Sequence, residues 1–429
     1  MEKHRTKAPV VDPIFPSWTP ASTSQLLLPR AVLDTRLALR DFLIAAGLNE
    51  LRKVLEDDRT LLCGPKGRFQ DRRVAYRHGH DEGVLVLGGR KVRVPKPRVR
   101  SLDGRELDLP HWRHFSQEDP LSERVQQQIL LGVSTRGYAD SLEALPIELP
   151  ETGTRRCSVS RRFVARTARA AEAFLGRPLG GVDFPVLMLD GLVLDEHLLL
   201  TAQGIDTTGR KQVLGVTEGS SESEEVAKAL FRNLIERGLM VERARLFVID
   251  GGKGLRKAIR SVFGAWALIQ RCQVHKMRNV LEHLPERQKT WVRAAIRRAW
   301  SADTVARARE QLRTLAGQLR ADHPGASASI DEGLDETLTV IALGVVGSLH
   351  QTLRSTNPIE NMQGTIRRVT RNVKRWRDGS MVLRWVVTAL MEAEKKFRRV
   401  KGYRDMPQLL AALDATAGVE ALDKKVSVA

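Results

Sequence analysis

Apolar residues recur at helical spacing through residues 31–58 (AVLDTRLALRDFLIAAGLNELRKVLEDD), which predicts one or two helices broken near Gly47. The period then shortens to two. VLVLGGRKVRVPKPRVRS alternates in short runs on either side of Gly88-Gly89, a hairpin signal. Helical spacing returns over 121–170 in two blocks, RVQQQILLGVSTRGYADSLEAL and CSVSRRFVARTARAAEAFL, with Pro146 and Pro150 in the loop between them. The turn from Gly132 to Arg136 suits a helix-turn-helix whose recognition helix opens at Ser158 and presents Arg161 and Arg162 to the major groove. A plain helical hairpin is the alternative.

From residue 184 the pattern changes again. FPVLMLDGLVL, HLLLTAQGID and KQVLGVTEG read as three strands, the last two joined by the turn Asp206-Thr207-Thr208-Gly209. A helix with an acidic start (222–238), a buried strand (ARLFVID), a helix from Lys253 to Phe263 and a strand (WALIQRCQVH) follow. Three strands in a row form an antiparallel meander, and later strands return in parallel through crossover helices. The fold class is therefore α/β: an RNase H-like mixed five-stranded sheet flanked by helices. Residues 276–345 are helical throughout, and 357–397 form a long helical region before a short C-terminal helix and tail. Residues 1–24, rich in Pro, Ser and Thr, read as a flexible leader.

Charge adds a class of partner. Lys plus Arg number 70 against 51 Asp plus Glu, a net +19, and a basic chain of this kind meets a polyanion, most often nucleic acid. Three scattered cysteines exclude a disulfide framework. No run of about 18 apolar residues predicts a membrane span, and no apolar signal core follows the N-terminus, so a cytoplasmic protein is expected. On the hairpin, Arg90, Lys91, Arg93, Lys96, Arg98 and Arg100 crowd one ribbon, either to meet phosphates or to guard an edge strand.

Three acids stand out by their surroundings. Asp190 interrupts the apolar run VLMLDGLVL, where a carboxylate must face a site or be buried at high cost. Asp250 ends LFVID before Gly251-Gly252, and neighbouring first and fourth strands would bring it beside Asp190. Alone, it also fits an ordinary turn residue. Glu360 opens a helix in STNPIENMQGTIRRVTRN, where Asn357 as N-cap, Pro358 and Glu360 also fit a capping box. Converging carboxylates repel unless a cation neutralises them, and hard oxygen donors suit two Mg²⁺ ions, with Mn²⁺ able to substitute. Such a site drives in-line phosphoryl displacement with no protein nucleophile. Gly251-Gly252-Lys253-Gly254 fits neither nucleotide-binding glycine motif.

LMLDGLVL, VIDGGKGLRKAI, QRCQVHKMRNVL and STNPIENMQGTIRRVTR, in that order, resemble the Mutator-superfamily transposases of bacterial insertion sequences, over about residues 120–400. GVSTRGYADSLE and VSRRF resemble the segment that precedes the family's core, and RNVKRWRDGS departs from its usual form, which leaves Trp376 without a placement. The resemblance implies a DDE transposase with catalytic, metal-holding Asp190, Asp250 and Glu360. It implies metal-dependent cleavage at terminal inverted repeats followed by strand transfer. Its partners would be double-stranded DNA, as element ends and target, and at least a second copy of the chain; no membrane is involved, and the protein is nucleoid-associated when on DNA. The implied organisation is a leader (1–24), a helical plus β-hairpin region (25–118), a helical DNA-binding region (119–180), a core in two parts (181–275 and 351–405) around an all-helical insertion (276–350), and a C-terminal helix and tail (406–429). Cys272 and His275 match the family's Cys-x-x-His signature as accessory residues. They fall short of zinc, which needs about four ligands, with His283 the nearest extra candidate. Arg367, Arg368, Arg371, Lys374, Arg375 and Arg377, taken as one continuing helix, would line a DNA backbone beside Glu360. A catalytically silent DNA-binding regulator and an RNase H-like structure-specific nuclease are the alternative functions.

Overall fold

The computed structural model describes residues 35–68, 73–117, 120–142, 151–219 and 223–426. The expected leader and the loop with Pro146 and Pro150 lie outside the described residues. The chain divides into two compact units, one from residues 1–85, 92–118 and 143–150, the other from 86–91, 119–142 and 151–429.

The first unit holds α1 (Thr35–Cys63), most of a hairpin formed by β1 (Ala75–Leu87) and β2 (Arg90–Ser101), the short β3 (Glu106–Leu107) and α2 (Pro110–Gln117). Helix α1 is continuous through Gly47, so the expected break does not occur. A single helical glycine costs only about 1 kcal/mol, too little to end a helix this long. The hairpin turns where expected: Gly88 and Gly89 take φ of 56° and 85°, the left-handed pair of a type I′ turn. Some of the ribbon's cations pair with carboxylates, Arg93 with Glu82 at 2.8 Å and Arg98 with Glu106 at 2.7 Å. Asp58 anchors α2 by accepting from the His111 backbone N–H at 2.9 Å.

The second unit opens with α3 (Pro120–Leu130), β4 (Glu151–Thr152) and α4 (Arg156–Leu175). Residues 131–155 separate α3 from α4, so the two do not form a helix-turn-helix, which needs a turn of about three or four residues. They pack as a plain pair, Leu121, Val125 and Ile129 against Val159 and Phe163. Tyr138, from the connection, is fully buried and donates to the Gly89 carbonyl at 2.8 Å.

The sheet that follows contains β5 (Val186–Leu194), β6 (His197–Ile205), β7 (Lys211–Gly219), β8 (Arg245–Ile249) and β9 (Ala267–Arg271), in the order β7-β6-β5-β8-β9. The first three pair antiparallel, and β8 and β9 join in parallel. Helices α5 (Glu224–Glu236) and α6 (Lys253–Phe263) form the two crossovers. The expected mixed five-stranded sheet and its element order are therefore what the chain adopts. The strand expected to run to His275 stops at Arg271, because Cys272 caps α7 (Gln273–Glu282).

Helices α7, α8 (Glu286–Trp300), α9 (Val305–Leu319) and α10 (Pro324–Asp331) enclose a core of their own around Ile296, Trp300, Leu312 and Ile330. The short α11 (Thr339–Ala342) and α12 (Gly347–Leu353) lead to α13 (Asn357–Thr370), α14 (Gly379–Glu394) and α15 (Met406–Val426). The long helical region expected over 357–397 is two helices. Helix α13 ends at Thr370, and Asp378 starts α14 by accepting from the Met381 N–H at 2.8 Å.

Strand alternation divides the sheet's two faces. Val186, Met188, Leu246 and Val248 pack with Ile359, Met362, Ile366 and Val386 from α13 and α14. Leu187, Leu189, Phe247 and Ile249 face the other way, with Phe231 and Phe263 from α5 and α6. The three phenylalanines contact one another, Phe247 to Phe263 at 4.9 Å and Phe231 to Phe263 at 5.1 Å between ring centroids. Phe247→Ala should cost about 3–5 kcal/mol, read as a lower urea midpoint at unchanged slope. An unchanged midpoint would mean that this cluster does not hold the sheet.

Candidate active site

Strand pairing leads toward Asp190 and Asp250. Strands β5 and β8 run parallel with Val186 opposite Leu246 and Met188 opposite Val248. Two residues past that last pair stand Asp190, still within β5, and Asp250, just beyond the end of β8. Asp190 continues the alternation of Val186 and Met188, the series that faces α13. Asp190 is 8% exposed, and its carbonyl accepts from the Thr201 hydroxyl at 3.1 Å. Asp250 is half-buried, and its Oδ1 accepts from the Gly252 N–H at 3.0 Å. The turn-residue role is thus realised by one carboxylate oxygen. Gly251 makes that turn at φ 110°, and a Cβ there would lie 2.2 Å from Arg271 Nε, so only glycine lets the buried arginine pack over the loop.

Glu360 arrives on the first turn of α13. The cap of that helix is Thr356 rather than Asn357, which places Glu360 one position too deep for the expected capping box. Its Oε1 takes the Thr356 hydroxyl at 2.6 Å instead. One turn on, Gln363 is buried and donates to the Gly191 carbonyl at 3.1 Å and to Thr201 Oγ1 at 3.3 Å. This ties α13 to the strand segment that carries Asp190. Gln203, also buried, approaches Met362 Sδ at 3.8 Å.

Thr356, fully buried, joins Glu360 to the Cys-x-x-His pair. Its Oγ1 lies 3.3 Å from Cys272 Sγ and 3.4 Å from His275 Nδ1, and its N–H donates to the same sulfur at 3.4 Å. With one hydroxyl proton to give, it serves the carboxylate, the nearest acceptor. His275 Nδ1 stands 3.9 Å from Glu360 Oε1. The hydrogen bond to Cys272 pushes the His275 imidazole up to about 9 against its burial, helped by the negative charges of Cys272, Glu360 and Asp190. Burial pushes the Cys272 thiol up, but hydrogen bonds with His275 and Thr356 outweigh it and bring the thiol below its ordinary value.

The pair therefore sits at the start of a helix, not at the end of a strand. Its third companion is Glu360: ligand atoms of Cys272, His275 and Glu360 lie within 4.8 Å of one another. Asp190 and Asp250 are outside that group, and so is His283, the C-cap of α7. Sequence spacing gave no hint of Thr356, Thr201, Gln203 or Gln363, the polar residues that fix these positions.

The expected basic face does not form as one helix. Arg367 and Arg368 are in the last turn of α13 and Arg371 is its C-cap, whereas Lys374, Arg375 and Arg377 follow the helix. All six are exposed. Arg161 is exposed on α4, and Arg162 reaches Ser122 Oγ at 3.4 Å.

A Thr356→Val variant keeps the shape and the backbone N–H to Cys272 but removes the hydroxyl that donates to Glu360. It should lose about 1–3 kcal/mol of stability, with Thr356→Ser close to wild type, as measured by thermal melting. Equal melting of the valine variant and wild type would remove the bridge from the account.

Comparison with known proteins gives the site a context. Residues 31–400 match the family described as Transposase, Mutator family. The transposase for insertion sequence element ISRM5 of Rhizobium meliloti (strain 1021) is 29% identical over 393 residues, 88% of this chain and 94% of that protein. The transposase for IS6120 of Mycolicibacterium smegmatis is 32% identical over 260 residues, 59% of this chain and 78% of its own length. The transposase for IS256 in transposon Tn4001 of Staphylococcus aureus is 28% identical, covering 75% of this chain and 82% of that protein.

Proposed function

Since the chain belongs to the Mutator family of transposases, we propose that it binds the terminal inverted repeats of a mobile element and catalyses DNA cleavage and strand transfer at Asp190, Asp250 and Glu360. The observation that carries this reading is the β5–β8 register: it runs up to two residues short of Asp190 and Asp250, beneath the helix that bears Glu360, which supports a shared site for the three acids. The meander followed by two parallel strands supports an RNase H-like core. The separate helical core around Trp300 supports an insertion within it.

The donor set fits divalent metal. Two aspartates and a glutamate offer hard oxygens, as Mg²⁺ or Mn²⁺ prefers, Asp190 from within β5, Asp250 from just past β8 and Glu360 from the first turn of α13. Bound there, two such ions would neutralise the phosphate and favour deprotonation of the attacking oxygen. The chain's own residues do the positioning. Thr356 aims Glu360, and Gln363 and Thr201 fix α13 against β5. In the first step a water oxygen attacks phosphorus and the P–O3′ bond breaks, leaving a 3′-hydroxyl on the element. In the second that hydroxyl attacks a target phosphodiester, and a target 3′-oxygen leaves. No enzyme nucleophile is consumed. Two element ends must react together, so a homodimer or larger assembly forms on DNA, with exposed Arg367, Arg368 and Arg371 near phosphates.

Wild type with Mg²⁺ should nick an oligonucleotide duplex carrying the element's end and join it to a target. Asp190→Asn, Asp250→Asn and Glu360→Gln should each lower both steps by at least about a thousandfold, with DNA binding retained. Equal cutting by all four proteins would refute the carboxylate assignment. Nicking without joined product would leave a nuclease, and binding without nicking a silent regulator.

A further inference from the structure

Helix α4 has two contrasting faces. Val159, Phe163, Thr167, Ala171 and Phe174 are buried, and Phe163 packs on Trp385 of α14 at 4.7 Å between ring centroids. The other side carries arginines. There α3, α4 and α14 enclose an open groove of about 830 Å³ whose lining includes Arg161, Arg162, Arg166, Arg169 and Lys395. One acid lines it, Glu392, and it pairs with Lys395 at 2.5 Å. None of Asp190, Asp250 and Glu360 borders it, nor does any of the six cations from Arg367 to Arg377.

We infer that this groove is a docking site for the sugar–phosphate backbone of duplex DNA, separate from the proposed catalytic carboxylates; the inference rests on the transposase reading for its biological occasion, not for its chemistry. Arg161, Arg166 and Arg169 make no ion pair among the described residues. Clustered arginines without carboxylates repel each other and attract a polyanion. Arg166 is oriented by Gln126, whose Oε1 accepts from its Nε at 2.6 Å. The guanidinium is thus held in place with its terminal N–H groups left over for phosphate oxygens. Ala165 and Ala170 keep the floor low between the arginines.

Geometry and lining select the occupant. From Arg161 to Arg169 the helix advances about 12 Å at 1.5 Å per residue, the span of roughly three or four phosphates of one strand at 3.4 Å each. Among the described residues no aromatic side chain lines the groove, so they offer no surface on which unpaired bases would stack, as single-strand sites require. The contacts available read charge and spacing, and they add affinity without sequence choice.

The test uses the full chain and a labelled duplex of arbitrary sequence, with anisotropy titrations across salt concentrations. Replacing Arg161, Arg166 and Arg169 together by Ala should weaken binding at least about tenfold at moderate salt. It should also lower the slope of log K against log salt by about 2–3. The triple Lys variant should keep the wild-type slope, which separates lost charge from a misfolded helix. An Ala variant with wild-type affinity and slope would overturn the inference, as would tighter binding of an equally long single strand. If wild type binds through the groove yet cuts nothing in Mg²⁺, the carboxylate reading fails and the groove stands.

Discussion

The parallel pairing of β5 with β8 constrains everything built above it. Each strand alternates its side chains, and the pairing keeps Val186 and Met188 in step with Leu246 and Val248, with Asp190 and Asp250 two residues past the last pair. A slip of one residue would turn an entire strand over. One aspartate would then enter the layer of Phe231, Phe247 and Phe263, where an unpaired charge is very costly. The apolar residues of the two faces therefore specify the position of the acids. The crossovers α5 and α6 pack on one of these faces, with Phe231 and Phe263 against Phe247.

Above the sheet the problem is different, because a helix on an apolar layer can slide or rotate at small cost. Polar groups inside that layer remove the freedom. Gln363 spans from α13 to the Gly191 carbonyl and the Thr201 hydroxyl, and every one of those partners is at least half-buried. A displaced α13 would break these bonds without replacement by water. At its start, Thr356 connects α13 to the start of α7 through Cys272 and His275. Glu360 is held between these two attachments.

The sheet was largely legible in the sequence, because buried strands flanked by turn residues leave a period-two record that tertiary context rarely overrides. The bounds of α6 and the hairpin at Gly88-Gly89 followed from the same rules. Helix ends were harder. Gly47 looked like a break but one glycine costs too little to end a long helix, Asn357 looked like a cap but Thr356 takes that place, and the run Arg367–Arg377 looked like one helical face but α13 ends at Thr370 and Asp378 caps a new helix. Asp190 could be singled out because charge in an apolar strand is costly. The company of Glu360 with Cys272 and His275 could not, since no spacing rule links residues 272, 275 and 360. Thr356 and Gln363 carry no signal at all in one sequence; an interior hydroxyl or amide reveals its purpose only once its partners are placed.

The separate core of α7–α10 lies between the sheet and α13 along the chain. A polypeptide emerging from the ribosome exposes Asp190 and Asp250 well before Glu360. On the proposed reading, the growing chain passes through a long interval in which the cutting centre is one ligand short. Premature termination anywhere in those helices would remove α13 and α14 together, and with them Glu360, the apolar cover of one sheet face and one wall of the basic groove. An unfinished copy would thus be without both the means to cut and the surface proposed to hold DNA.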